Sequence, residues 1–183
     1  MGRETHRLFF ALRPPPPIAI AIEQVAVQLA AARRIAGKWL KPAKYHITLH
    51  FLGTYDHLPA DVRERAVAAG ADFATSAPDV ECDRIASFER VRSPPCVLRC
   101  SPRADSTLQA LSRDLRSALA TAGLAAHEEH AYTPHLTIGY GDRALAEPIR
   151  IEPLAWQAHE LLLIDSHVGT GRHEALAHWR LDA

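Results

Sequence analysis

Two histidines, His46 and His135, each stand two residues before a threonine, Thr48 and Thr137, in short and otherwise apolar stretches. The first reads Tyr45-His46-Ile47-Thr48-Leu49-His50-Phe51-Leu52-Gly53 and the second Pro134-His135-Leu136-Thr137-Ile138-Gly139-Tyr140. At the strand period of two, histidine and threonine share one face while Ile47, Leu49 and Phe51, or Leu136, Ile138 and Tyr140, take the other. Two imidazoles facing one pocket can act as general base and general acid together, because both protonation states are populated near neutrality. Phosphodiester cleavage suits such a pair. A neutral histidine takes a proton from the attacking water or hydroxyl, the protonated one supplies the departing oxygen, and the threonine hydroxyls donate to the non-bridging oxygens. That division of labour needs no metal. His50 shares the face of His46 by alternation but lies about 13 Å further along the strand, which predicts a place at the pocket rim or in solvent.

For the two strands to meet, similar units must face each other, and the chain supplies a helix followed by a histidine strand twice. Residues 7–12 read as a buried strand, closed by Arg13 and by Pro14 to Pro17, which lack the ladder donor. Such a run can also be a polyproline ligand, but between a strand and a helix it reads as a stop and a stiff connector. Ile22, Val25, Ala26 and Leu29 recur at helical steps, predicting a helix from Ile18 to about Ile35 that ends at Gly37. Residues 59–73 predict a second helix with Val62, Ala66, Ala69 and Phe73 on its apolar side. Residues 80–90 and 95–100 read as a hairpin turning at Arg92-Ser93-Pro94. The clearest helix spans 105–122, with Asp105 or Ser106 as its cap, Leu108, Leu111, Leu115 and Leu119 as its stripe, and Gly123 as its stop. A polar loop over 126–132 leads into the His135 strand. Residues 149–156, 160–168 and 174–181 complete a sheet, with one helical turn as the alternative for 174–179.

At 183 residues the chain is long enough for one compact unit of two lobes over 1–183, each contributing one His-x-Thr strand. Lys+Arg 21 against Asp+Glu 21 leaves no bulk field, which argues against non-specific duplex binding and leaves any nucleic acid to a local basic patch. Arg33, Arg34, Lys38, Lys41 and Lys44, which include all three lysines of the chain, lie between the first helix and His46 and read either as a solvated helix end or as a phosphate-steering patch beside the site. Arg33 and Arg34 read as a solvated helix end that complements the dipole, and Lys44 stays open as a phosphate contact. Cys82, Cys96 and Cys100 match no zinc or redox spacing and read as free thiols of a reducing compartment, the cytoplasm. The apolar run at 8–12 is too short for a signal or a membrane span, and no later run approaches about 18 residues.

His46-Ile47-Thr48-Leu49 with Phe51-Leu52-Gly53, together with Pro134-His135-Leu136-Thr137-Ile138, resemble the paired motifs of the two-histidine (2H) phosphoesterase superfamily. Within it the chain is most similar to the bacterial RNA 2′,3′-cyclic phosphodiesterases, historically called 2′-5′ RNA ligases. The likeness extends through residues 7–12, 88–100, 162–166 and 179–181. It implies an α+β, bilobal, pseudo-symmetric fold, with two antiparallel sheets flanking a central cleft and the helices outside. It also implies metal-independent opening of terminal 2′,3′-cyclic phosphates to 2′-phosphates, with reversible 2′-5′ joining in some relatives. On this resemblance His46 and His135 are the acid–base pair, with His135 as base and His46 as acid, and Thr48 and Thr137 hold the phosphate. RNA ends or oligonucleotides bearing a 2′,3′-cyclic phosphate are the expected partners, with no metal, no cofactor, no membrane and a monomer. Many relatives carry an arginine before the second motif, where this chain has His130, and Ala-Arg after it, where this chain has Gly139-Tyr140. Charge neutralisation then passes to Lys44, to Arg92 or to a protonated His130. Tyr132 is a candidate for stacking on a base, or a ring packed beside the strand start.

Two other classes compete. A metal-binding protein would use His127, His130 and His135, beside Glu128 and Glu129, but zinc needs three or four convergent ligands. His46 and His50 on an extended strand cannot chelate together as an i, i+4 helical pair does. A catalytically idle module that binds RNA ends on the same fold is the third reading.

Overall fold

A computed structural model describes residues 5–88, 92–124 and 132–182. The first strand, β1 (Thr5–Leu12), has residues 8–12 buried without alternation, the pattern of a strand covered on both faces. It pairs antiparallel with β3 (Ile47–Tyr55) on one side and β8 (Glu160–Val168) on the other. β9 (Arg172–Arg180) adds to β8, giving one half of the sheet in the order β3-β1-β8-β9. The other half runs β7-β4-β5-β6, from β4 (Asp79–Ser87), β5 (Pro95–Cys100), β6 (His135–Gly141) and β7 (Ile149–Gln157), with the short β2 (Gly37–Trp39) paired to β6. These halves correspond to the two antiparallel sheets expected from the sequence. They meet at one residue pair, Ile47 with Leu136, which joins them into a single nine-stranded sheet.

Among the described residues three helices cover one face. α1 (Pro16–Arg33), α2 (Ala60–Asp72) and α3 (Pro102–Thr121) send Ile22, Ala66, Leu108 and Leu115 into one continuous core with Leu8, Phe10, Ile47, Leu98 and Leu136. Truncating a fully buried leucine such as Leu115 to Ala costs about 2–5 kcal/mol by lost burial and cavity formation. The opposite face is thinly covered. A small cluster of Phe9, Ala11, Leu162 and Ile164, with Phe51 against it, lies there, and its Phe9 and Phe51 line an open cleft.

The helix limits differ from the sequence expectation at both proline-led starts. Pro16 and Pro17 form the first turn of α1, where a missing N–H is no loss. The helix stops at Arg34, whose φ of 49° puts it in the left-handed region, rather than at Gly37. Gly37 instead opens β2, where a Cβ would lie 2.1 Å from the Tyr140 carbonyl oxygen. α3 begins at Pro102, three residues before the expected cap, and Asp105 lies in its first turn, where it complements the dipole. Residues 174–179 belong to β9 and form no helical turn.

Candidate active site

The first histidine strand does not alternate as the sequence alone suggests. Ala11 pairs with Thr48 and Phe10 with His50, so Leu49 is an extra residue in β3, and a second shift follows before Gly53. Such a bulge reverses which face the following residues occupy. His50 therefore turns into the core beside Phe10 and is 1% exposed, which corrects its expected place at the rim or in solvent. Phe51 turns the other way, into the cleft. Two side chains satisfy the carbonyls at this irregularity: Ser112 Oγ donates to Leu49 O at 2.7 Å, and Tyr132 Oη donates to Thr48 O at 2.8 Å. β6 repeats the device. Val97 pairs with Thr137 and Cys96 with Gly139, so Ile138 is the extra residue, and Tyr140 joins the cleft lining instead of the apolar face. Each motif thus reads His-x-Thr-x-x-aromatic at the cleft.

The seam between the two halves brings the motifs together. With Ile47 opposite Leu136, one step outward sets His46 beside Thr137 and Thr48 beside His135. The histidines then lie on a diagonal of the pair, about 7–8 Å apart for regular strands. All four residues line a cleft of about 810 Å³.

Both rings are fixed in the same way. His46 Nδ1 donates to Lys44 O at 2.8 Å, and His135 Nδ1 donates to Thr133 O at 2.7 Å. A carbonyl only accepts, so Nδ1 carries the hydrogen in both rings and Nε2 is left as the reactive nitrogen. Each ring also has a phenylalanine and an arginine. Phe9 stacks on His46 at 5.1 Å with Arg13 nearby, and Phe88 meets His135 edge-on at 4.8 Å with Arg99 as its cross-strand neighbour.

Burial is the main cause that lowers the pKa of His46, to about 4; the hydrogen bond that His46 donates to Lys44 O acts the other way, and the neighbouring His173, Arg13 and His135 add to the lowering. Burial likewise lowers His135, assisted by Arg99. Both rings are therefore neutral at pH 7 in the free protein.

The sequence reading missed a third imidazole. His173 of β9 lies 5.4 Å from His46 ring to ring, and burial, Lys44 and Arg13 all push its pKa down. Strand alternation would show only a polar residue at this position; the β8-β9 hairpin is what carries it to the cleft. Lys44 lines the cleft as expected, and its Nζ donates to the Gly171 carbonyl on that hairpin. Arg7 is a further cation there, 5.1 Å above the Phe51 ring. Arg92 is exposed on the turn before β5, and its neighbour Ser93 reaches the lining. The Tyr132 hydroxyl is engaged by Thr48 O, and the ring is not part of the lining. His127 and His130 lie outside the described residues. Gly139 has a local cause: a Cβ there would meet the Trp39 ring of β2 at 2.7 Å.

A family model of the 2′-5′ RNA ligase superfamily matches residues 14–170. A protein of Bacillus subtilis called RNA 2′,3′-cyclic phosphodiesterase is 33% identical over 101 residues, which take in 55% of this chain and 54% of that one. The chain therefore spans about half the length of this curated relative. E. coli LigT in its apo form is 26% identical with a TM-score of 0.68, covering 98% of this chain and 99% of that one. LigT complexed with 3′-AMP aligns over the same shares, 98% and 99%, with 24% identity and a TM-score of 0.74. Among the described residues no helix is long and apolar enough to cross a membrane.

Proposed function

Because this chain belongs to the 2′-5′ RNA ligase superfamily, we propose that its cleft opens the terminal 2′,3′-cyclic phosphate of an RNA to a 2′-phosphate. His135 Nε2 takes a proton from water, the water oxygen bonds to phosphorus, the bond from phosphorus to O3′ breaks, and His46 Nε2 protonates O3′. Thr48 and Thr137 donate to the non-bridging oxygens, and Lys44 and Arg7 supply positive charge. With a ribose 5′-hydroxyl in place of water as the nucleophile, the same steps would join ends 2′-5′: His135 Nε2 takes the hydroxyl proton, O5′ bonds to phosphorus, the bond from phosphorus to O3′ breaks, and His46 Nε2 protonates O3′. The observation that carries this reading is the matched pair of Nδ1 bonds to Lys44 O and Thr133 O, which leaves two Nε2 atoms on one cleft. The name of the Bacillus subtilis relative and the 3′-AMP complex of LigT support a nucleotide phosphoester as substrate.

An oligonucleotide ending in a 2′,3′-cyclic phosphate tests it. His46→Ala and His135→Ala should each lower the opening rate by about 10²- to 10⁴-fold while circular dichroism stays unchanged. A chelator should leave the wild-type rate as it is. Full activity in either variant would overturn the mechanism. Tight binding by the wild type with no turnover would instead favour an idle module that holds RNA ends.

A further inference from the structure

A second cluster of histidine and carboxylate lies on the opposite, helix-facing side of the sheet. Antiparallel register sets His6 opposite His167 and Leu8 opposite Asp165, with Glu174 and Arg172 of β9 alongside on the same face. His6 Nδ1 is 2.7 Å from Asp165 Oδ2, His167 Nε2 is 3.5 Å from that same oxygen, and His167 Nε2 is 3.6 Å from Glu174 Oε2. The ligating atoms of His6, Asp165 and His167 all lie within 4.8 Å of one another. Asp165 and His167 are each 4% exposed, and Asp165 Oδ1 is buried without a hydrogen-bond partner. A carboxylate held this deep needs a cation.

From this geometry we infer that His6, Asp165, His167 and Glu174 form a binding site for a divalent transition metal of the zinc class, separate from the catalytic cleft. Two imidazoles and two carboxylates are a zinc donor set, and a tetrahedral ion with bonds near 2.0–2.1 Å separates its ligands by about 3.3 Å. Two of the three distances are within a few tenths of that value, and the His6 to Asp165 contact must open by about half an ångström. The place of a cation is already marked. The Arg172 guanidinium reaches in from solvent, with Nη2 3.1 Å from His167 Nε2 and 3.3 Å from Glu174 Oε2. Its side chain and that of Glu174 are exposed at 62% and 50%, so the arginine can leave and an ion can enter by the same route. An ion bound there would tie β1, β8 and β9 together at one end of the sheet.

The test is a zinc titration of metal-stripped full-length protein against a chromophoric chelator, with cobalt as a spectroscopic substitute. One tight equivalent per chain and the intense visible bands of four-coordinate cobalt are expected. His6→Ala and Asp165→Asn should each weaken binding at least about 10-fold, Arg172→Ala should tighten it by removing the competing cation, and His46→Ala should leave it unchanged. Zinc should raise the melting temperature of the wild type but not of His6→Ala, whose fold is checked by circular dichroism without metal. Absence of tight zinc binding, loss of binding in His46→Ala rather than His6→Ala, or weaker binding in Arg172→Ala would overturn the assignment.

Discussion

If His46 delivers the proton to the leaving oxygen, it must first acquire one, and the free cleft opposes that. At a pKa of about 4, holding a proton on His46 at pH 7 costs about 4 kcal/mol, at about 1.4 kcal/mol per unit. A phosphodiester anion about 4 Å away contributes about 4 kcal/mol of opposite sign at an effective dielectric constant near 20. The two balance. Substrate binding is then expected to bring His46 to a pKa near 7 and to take up one proton across the window from about pH 4 to 7. The assay uses His135→Ala, which binds without turning over, and a nucleoside 2′,3′-cyclic phosphate, whose single charge is constant over this range. Affinity should fall about tenfold per pH unit from pH 5 to 7, because the complex holds a proton that the free site lacks. The His46 imidazole signal should titrate near 4 alone and near 7 in the complex. An affinity independent of pH, or a midpoint still near 4 with ligand bound, would refute His46 as the donor and leave His135 for that role.

Ser112→Ala leaves the buried Leu49 carbonyl without its donor, so a loss of about 1–3 kcal/mol in urea unfolding is expected, with lower turnover as the bulge that aims Phe51 relaxes. The folded pKa of His46 lies below its unfolded value near 6.5, so the unfolded chain binds the extra proton first. Stability is therefore unaffected above pH 6.5 and drops as the pH falls toward 4, by about 2 kcal/mol at pH 5 from this group alone. Chemical denaturation at pH 7 and 5 should show His46→Leu losing correspondingly less than the wild type.

What the sequence made legible was local. His46, Thr48, His135 and Thr137 could be picked out because their types and two-residue spacing stay together wherever the strands go, and the Leu108 to Leu119 stripe marked α3 for the same reason. Alternation failed at Leu49 and Ile138, since an extra residue is defined by what the partner strand does not match. That failure misplaced His50 and hid Phe51 and Tyr140. Phe9, Arg13, Phe88, Arg99 and His173 come from four separate segments, and only the strand order brings them to the two imidazoles. Ser112 reads as one polar position near a leucine stripe, and its bond to Leu49 O depends on which strand α3 covers.

The seam at Ile47 and Leu136 has a mechanical consequence. A joint of one residue pair carries almost no ladder of its own, yet the chain crosses it repeatedly: β1 lies in one half, β2 in the other, β3 back in the first, β4 to β7 in the second, and β8 and β9 in the first again. Behind it, α3 packs against β3 of one half and against β4 and β5 of the other. The helix acts as a splint across a stitched joint, so the gauge of the cleft, and with it the reach from one imidazole to the other, is set from the back of the molecule rather than along the strands that bear them.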